Sequence, residues 1–110
     1  MGRFITSTGT FGITIRDVAA SYSAVVNDRI LANTSAGAIT ITLPPASTAM
    51  VNDTIQIIDV GGVAASNKIT VARNNAKIQG FAEDLVIDLS GSVTTLIYTG
   101  ATWGWVYAAV

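Results

Sequence analysis

The stretch AITITLP at residues 38–44 decides the fold class of this chain. Its apolar and threonine side chains alternate with a period of two, and successive side chains of a β-strand point to opposite faces of a sheet. The stretch therefore predicts a strand with one apolar face and one threonine face, since β-branched residues suit a pleated surface. Pro44 and Pro45 end the strand because proline cannot donate to a β-ladder. One short helical turn is predicted after them, near 45–51.

The same alternation recurs in both directions along the chain. Strands are predicted near 12–16, 22–26, 29–32, 38–43, 54–59, 68–73, 77–79, 85–89, 93–99 and 103–108. Gly, Asn and Ser between them mark tight turns, because Gly and Asn tolerate a positive φ. Many short strands separated by turns predict an all-β fold, an antiparallel β-sandwich or a jelly-roll-like barrel. Antiparallel pairing is expected because the connections are too short to hold crossover helices.

Composition supports one folded domain with an unusual surface. Val, Ile and Thr make up 38 of the 110 residues, half of the chain is hydrophobic and only 12% is charged. A chain of this length suits a single domain. We expect residues 12–110 to form one β-sandwich domain, preceded by an N-terminal arm or first strand at residues 1–11. Because charges normally keep small domains apart, so uncharged a surface predicts that a partner covers part of it.

Several classes of function are excluded by the residues that the chain lacks. Without His or Cys there is no Ser-His-Asp triad, thiol nucleophile, disulfide or usual zinc site. The net charge is −1 and the six basic residues are dispersed, which argues against nucleic acid as a partner. Uncharged stretches at 30–52 and 89–110 are interrupted by Pro or Gly, so no membrane span is expected. We predict no enzymatic activity, no cofactor and no metal.

The acidic residues form two small groupings, Glu83, Asp84 and Asp88 in one and Asp53 and Asp59 in the other. A calcium site would need a loop of alternating oxygen ligands, and no such loop occurs in the sequence. A glycosidase would need two carboxylates about 5–10 Å apart across a cleft. We interpret these carboxylates as solvated charges of turns and strand edges, with calcium ligation and a catalytic pair as the alternatives.

Aromatic residues concentrate near the C-terminal end of the chain. Trp103, Trp105 and Tyr107 alternate, so on a strand one face would carry all three rings. Aromatic rings pack in cores, anchor protein interfaces and stack on sugars. Core packing is the first interpretation here, and a protein interface and a glycan-binding surface stay open. Gly104, between the two Trp residues, predicts a bulge or a close approach of another backbone.

The N-terminal residues combine apolar side chains with small polar ones. Arg3, Phe4 and Ile5 precede a run of Thr, Ser and Gly that ends at Phe11. The three apolar side chains need a surface to cover them. Either the segment packs as a first strand on its own domain, or it is an arm that crosses to a neighbouring subunit or another surface.

An ordered set of motifs extends over about two thirds of the chain. The set comprises ITITLP at 39–44, DTIQIID at 53–59, KITVARN at 68–74, IQG at 78–80, LIYTG at 96–100 and WGW at 103–105. With this set, the chain resembles a β-domain common in bacteriophage virion proteins, in tail fibres, spikes and small capsid decoration (cement) proteins. Where that pattern has Asn-Gly after the Arg, this chain has Asn74-Asn75, which also suits a tight turn. The resemblance implies a trimeric β-rich structural module without catalytic residues.

The small size of the chain within that group favours a decoration protein. We expect a homotrimer that binds the major capsid protein on the outer capsid surface of the virion, after synthesis in the host cytoplasm. The residues expected to contact the capsid or a neighbouring subunit are Arg3, Phe4, Ile5 and Phe11. The alternative is the receptor-binding knob of a tail fibre that recognises host surface glycans. In that alternative the glycan-binding aromatics would be Trp103, Trp105 and Tyr107.

Overall fold

The computed structural model of the chain describes residues 12–108 and confirms the all-β prediction. The strands are β1 (Thr14–Val18), β2 (Tyr22–Ser23), β3 (Asp28–Ala32), β4 (Ile39–Thr42), β5 (Thr54–Asp59), β6 (Ile69–Ala72), β7 (Leu85–Ile87), β8 (Val93–Tyr98) and β9 (Trp105–Tyr107). They form two mixed sheets, a five-stranded sheet in the order β1-β3-β5-β8-β9 and a four-stranded sheet in the order β2-β4-β6-β7. Within residues 12–108, no helix has the length and apolar character needed to cross a membrane.

Strand direction differs from the prediction. The pairs β1/β3, β3/β5, β2/β4 and β4/β6 are parallel, and only the pairs made by β7, β8 and β9 are antiparallel. The expectation of purely antiparallel sheets, and with it that of a jelly roll, is therefore wrong. From β1 to β6 the chain alternates between the two sheets. Each strand of one sheet thus serves as the crossover between parallel neighbours of the other, and no helix is needed for that purpose.

The two sheets face each other across one shared core, consistent with a β-sandwich. In β5 the side chains of Ile55 and Ile57 are buried and those of Gln56 and Ile58 are half-buried, as a period of two requires. The buried apolar core includes Ile30, Ala32, Ile55, Ile57 and Leu96 from the five-stranded sheet, and Ile39, Ile41, Ile69, Val71 and Ile87 from the four-stranded sheet. Each such isoleucine contributes about 1.5–3 kcal/mol by leaving water, so this core is the main source of stability.

The helical turn expected near 45–51 is absent. The chain makes a hydrogen-bonded turn there instead, in which the backbone N–H groups of Thr48 and Ala49 both donate to the carbonyl of Pro45 at 3.0 Å. Two residues later, Met50 N–H donates to the Asp53 carboxylate at 2.8 Å, which directs the chain into β5. The chain therefore leaves this turn toward β5 and does not continue as a helix.

The strand expected at 77–79 is reduced to an isolated bridge at Ile78. Gln79 and Gly80 have φ values of 55° and 81°, and both residues lie in a tight two-residue turn. The segment nevertheless covers the edge of the five-stranded sheet. Trp105 N–H donates to the Lys77 carbonyl at 2.8 Å, and Gln79 N–H donates to the Trp105 carbonyl at 2.7 Å. Strand β9 is thereby shielded from pairing with other chains along these residues.

Candidate interaction surfaces

The outward side of the five-stranded sheet, here called the five-strand face, is largely apolar. Its side chains follow from the strand register, because residues directly opposite each other share a face. They are Ile15, Asp17, Arg29, Leu31, Thr54, Gln56, Ile58, Val93, Thr95, Ile97 and Val106. Ile15 and Val93 are more than half exposed. Exposed apolar side chains grouped on one face, as here, are typical of an interaction site.

A polar row crosses the middle of this face. The Arg29 Nε donates to the Gln56 Oε1 at 2.6 Å, and the Gln56 Nε2 donates to the Thr95 Oγ1 at 2.9 Å. The row lines a groove of about 290 Å³ together with Ile13 and Thr54. The Arg29 Nε and the Gln56 Nε2 each donate to an acceptor on the next strand, so the Gln56 amide and the Arg29 guanidinium are both held in one orientation. The face therefore presents one fixed cation in an apolar setting.

The outward side of the four-stranded sheet carries no charged residue among its paired strand positions, unlike the five-strand face. Its side chains are Ser23, Thr40, Thr42, Thr70, Ala72 and Val86. Hydroxyl groups on a pleated surface can bond water or a partner equally well. The two broad faces of the sandwich thus differ in chemistry, one apolar with a central arginine and the other rich in threonine.

A cleft of about 320 Å³ opens where β7 faces the end of β8 and β9. Buried Ile87 forms part of its wall, and exposed Leu89, Val93 and Tyr107 lie at its mouth. Strand β9 ends at Tyr107, so Val93 and Thr94 extend beyond the part of β8 that β9 covers. The cleft is therefore another region of the described surface where apolar side chains are exposed.

The three aromatic residues singled out in the sequence do not share one surface. Trp105 is fully buried, and its ring meets the Tyr98 ring edge-on at a centroid distance of 5.3 Å. Tyr107 is 51% exposed and Trp103 is 61% exposed. For Trp105 the core-packing interpretation is therefore confirmed, and this ring is unavailable to a glycan. The expected common face fails because Trp103 lies in the turn before β9.

Gly104 explains why the alternation stops there. It has a φ of 71°, and a Cβ at this position would lie 2.0 Å from the Lys77 carbonyl oxygen. The predicted close approach of another backbone is thus confirmed. Trp103, on the far side of Gly104, rests on Gly80, where a Cβ would lie 2.8 Å from the Trp103 Cε3. Together with exposed Phe81, Trp103 forms a surface that we call the aromatic tip.

Two carboxylates are buried, and the sequence indicated neither burial. Asp28 accepts hydrogen bonds from the Arg16 Nε at 3.3 Å, the Tyr22 hydroxyl at 2.7 Å and the Val25 N–H at 2.8 Å. Burial raises the pKa of Tyr22, and the hydrogen bond and negative charge of Asp28 raise it further. Because its oxygens are occupied by donors of its own chain, Asp28 organises the fold and is not free to bind a ligand.

Asp59 was expected to be a solvated charge, and this expectation is wrong. Its carboxylate is buried and accepts three backbone N–H groups, from Gly62 at 3.2 Å, Ala64 at 3.1 Å and Gly91 at 2.9 Å. It therefore joins the loop after β5 to the turn before β8. Glu83, together with Asp84 and Asp88, is exposed, as expected.

No metal site is assembled by the acidic residues in the described part of the chain. Nowhere between residues 12 and 108 do three acidic side chains come together as a cation site would require. The N-terminal residues expected to contact a partner, Arg3, Phe4, Ile5 and Phe11, lie outside the described residues. Besides the two sheet faces, the cleft and the aromatic tip, the described surface includes exposed apolar side chains at Val25, Val26, Met50 and Val51.

No protein-family model matches the chain, and no curated protein matches it significantly.

Proposed function

We propose that this protein is a bacteriophage capsid decoration protein, which binds the outer capsid surface as a homotrimer and stabilises the shell. The observation that carries the proposal is the five-strand face, where Ile15, Leu31, Ile58, Val93 and Val106 lie on both sides of the polar row that contains Arg29. A small domain gains nothing from exposing such a face in isolation. Covering it in a trimer or against a capsid would bury apolar area, at about 25 cal/mol per Å².

Stabilisation of the shell would follow from mass action. A protein that binds the assembled shell and not its separated subunits lowers the free energy of the assembled state. Many copies, each bridging neighbouring capsid subunits, would add up to a large resistance to internal pressure. This role requires shape, apolar area and a rigid scaffold, and it requires no catalytic group, so the proposal includes no enzymatic activity and no cofactor.

The N-terminal segment has a place in this proposal. Phe4, Ile5 and Phe11 are apolar side chains, and Arg3 is the cation next to them. We assign them to contacts with the major capsid protein or a neighbouring subunit. Deletion of residues 1–10 is then expected to weaken capsid binding while the remaining domain still folds. Unchanged capsid binding by the truncated protein would show that the segment makes no contact needed for binding.

The test of the proposed function is the copy number in the virion, with shell stability as the second measurement. Quantitative protein analysis of purified virions is expected to find hundreds of copies. Shells lacking the protein are expected to break at a lower temperature and to recover when the purified protein is added back. A few copies per virion, located at the tail, would rule out decoration.

A receptor-binding knob of a tail fibre is the second candidate, and the aromatic tip favours it. Trp103 is exposed and its ring is held against Gly80, so one ring face is available for stacking on a sugar. A glycan array with the purified protein tests this candidate. Binding that is lost in Trp103→Ala and retained in Tyr107→Ala would support it, whereas an array without hits would contradict it.

A further inference from the structure

Two regions of this molecule, which border each other where Val93 lines the cleft, carry opposite charges among apolar side chains. The first is the five-strand face, where Arg29 occupies the central row between Ile15 of β1 and Gln56 of β5. The ion pair found among the described residues joins Arg16 to Asp28, and Arg29 has no described carboxylate within 4.0 Å. Asp17 lies on the same face, opposite Leu31 and two residues from Ile15, which pairs with Arg29. Arg29 is thus the one cation among the described side chains of this face.

The hydrogen bonds of Arg29 leave its guanidinium ready for a carboxylate. Its Nε is held by Gln56, and its two Nη nitrogens make no hydrogen bond to any residue between 12 and 108. Since Gln56 is in turn held by Thr95, the guanidinium plane is fixed before a partner arrives. A planar fork of N–H groups suits the two oxygens of a carboxylate. Arginine in the middle of an apolar surface is also typical of residues that dominate binding energy.

The second region lies at the end of β7 and consists of Val86, Asp88 and Leu89, here called the β7 rim. Val86 is 46% exposed and Leu89 is 69% exposed. Asp88 is exposed and makes no hydrogen bond or ion pair with any described residue. The rim also borders the cleft next to Tyr107. It is thus an apolar surface with one free carboxylate, the chemical complement of the five-strand face.

Resting on the homotrimer proposed above, we propose that the five-strand face of one copy docks on the β7 rim of the next copy, with Arg29 binding Asp88 across the interface. The occupant of each region is a second copy of this chain. Two different regions that complement each other make a head-to-tail contact, and such a contact can close into a ring. The net charge of −1 leaves little repulsion between copies. The apolar side chains around each charge would exclude water from the pair.

Charge reversal tests the pair directly. The variants are Arg29→Glu, Asp88→Arg and the double variant, compared with the natural protein by light scattering over a range of concentrations. Each single reversal is expected to raise the dissociation constant of the assembly by at least about tenfold, because it places like charges at the interface. The double variant is expected to return the constant to within about threefold of the natural protein.

Matched controls separate the pair from a general effect of charge. Lys68→Glu and Glu83→Arg make the same two charge changes at exposed positions outside both regions, and the assembly is expected to keep its mass. Circular dichroism establishes that each variant is folded. Three results would rule out the proposed interface. They are a natural protein that is monomeric at every concentration, single variants that assemble normally, and a folded double variant that stays dissociated.

Capsid binding by the same variants distinguishes failure of the interface from failure of the proposed function. If the single variants assemble normally and still bind capsids, the Arg29–Asp88 contact is ruled out and the proposed decoration function is supported. A charge-swapped protein that assembles as expected while neither it nor the natural protein binds capsids would support the contact and contradict decoration.

Discussion

The hydroxyl of Tyr22 donates to the buried carboxylate of Asp28 at 2.7 Å, and this bond joins the two sheets of the sandwich. Tyr22 belongs to β2 of the four-stranded sheet, and Asp28 begins β3 of the five-stranded sheet. The other donors to Asp28 come from Arg16 in β1 and from the backbone of Val25 in the loop before β3. One carboxylate therefore organises three strands and a loop at one end of the core.

Replacing this carboxylate is expected to destabilise the fold. In Asp28→Ala, the hydroxyl of Tyr22 and the N–H of Val25 lose their acceptor. Each partly buried donor left without a hydrogen bond lowers the free energy of unfolding by about 1–3 kcal/mol. We expect the free energy of unfolding in urea to fall by about 2–4 kcal/mol. Asp17→Ala is the matched control, because Asp17 is exposed on β1. A change of less than about 0.5 kcal/mol in Asp28→Ala, the range of ordinary surface substitutions, would contradict the role given to Asp28.

The raised pKa of Tyr22 predicts a loss of stability at alkaline pH. The folded state holds the neutral phenol, so the pKa lies above the ordinary value of 10.0 that the unfolded chain has. The stability contributed by this group is fully present below pH 10 and is lost as pH rises toward the folded pKa. Urea unfolding at several pH values is expected to show this fall in the natural protein. The fall should be smaller in Tyr22→Phe, and equal slopes in the two proteins would contradict the coupling.

Gly104 and Gly62 offer a test of the close backbone approach. Both have a φ of 71°, but a Cβ at Gly62 would meet nothing within 4 Å, whereas one at Gly104 would collide with the backbone of Lys77. Gly62→Ala is expected to cost about 1–2 kcal/mol for the left-handed conformation alone. Gly104→Ala is expected to cost at least about 3 kcal/mol, because the Lys77 segment must also move away from β9. Equal losses of stability for the two variants in thermal unfolding would show that the close approach of the Lys77 backbone to Gly104 does not contribute to stability.

Truncation of the two tryptophans to alanine is expected to change the free energy of unfolding by very different amounts. Trp105→Ala removes a fully buried ring and should lower the free energy of unfolding by about 3–5 kcal/mol. Trp103→Ala removes an exposed ring from the aromatic tip and should change it by less than about 1 kcal/mol. Chemical denaturation of both variants measures the difference. A large loss for Trp103→Ala would mean that this ring supports the fold and is not a free binding surface.

Strand positions were predictable because their signal is local. The alternation at Ile39, Ile41 and Leu43 places every second side chain on one face, and all three are buried in the structure. The Gly and Asn residues of the turns act locally as well, as the positive φ values of Asn74 and Asn75 illustrate. A period of two does not depend on which strand lies next to which, so it could be read along the chain.

The candidate surfaces could be predicted only in part. Exposure of Trp103 and Tyr107 agrees with an interaction role for aromatic residues, but nothing local distinguishes them from buried Trp105. Arg29 was not singled out by the sequence, and Asp88 was interpreted only as one of several solvated charges of turns and strand edges. Their significance depends on neighbours contributed by other strands, such as Gln56 and Thr95, which lie 27 and 66 positions from Arg29 in the sequence.

The sequence by itself determined that the protein is built of short strands with one apolar face each, and that it lacks the His and Cys on which much enzyme chemistry depends. Only the tertiary structure decided that four of the strand pairs run parallel, with Arg29 beside Gln56, and that Asp28 and Asp59 are buried. The reason is physical. Side-chain alternation is a property of each strand alone, whereas strand direction, carboxylate burial and the chemistry of a sheet face depend on contacts between segments far apart in the chain.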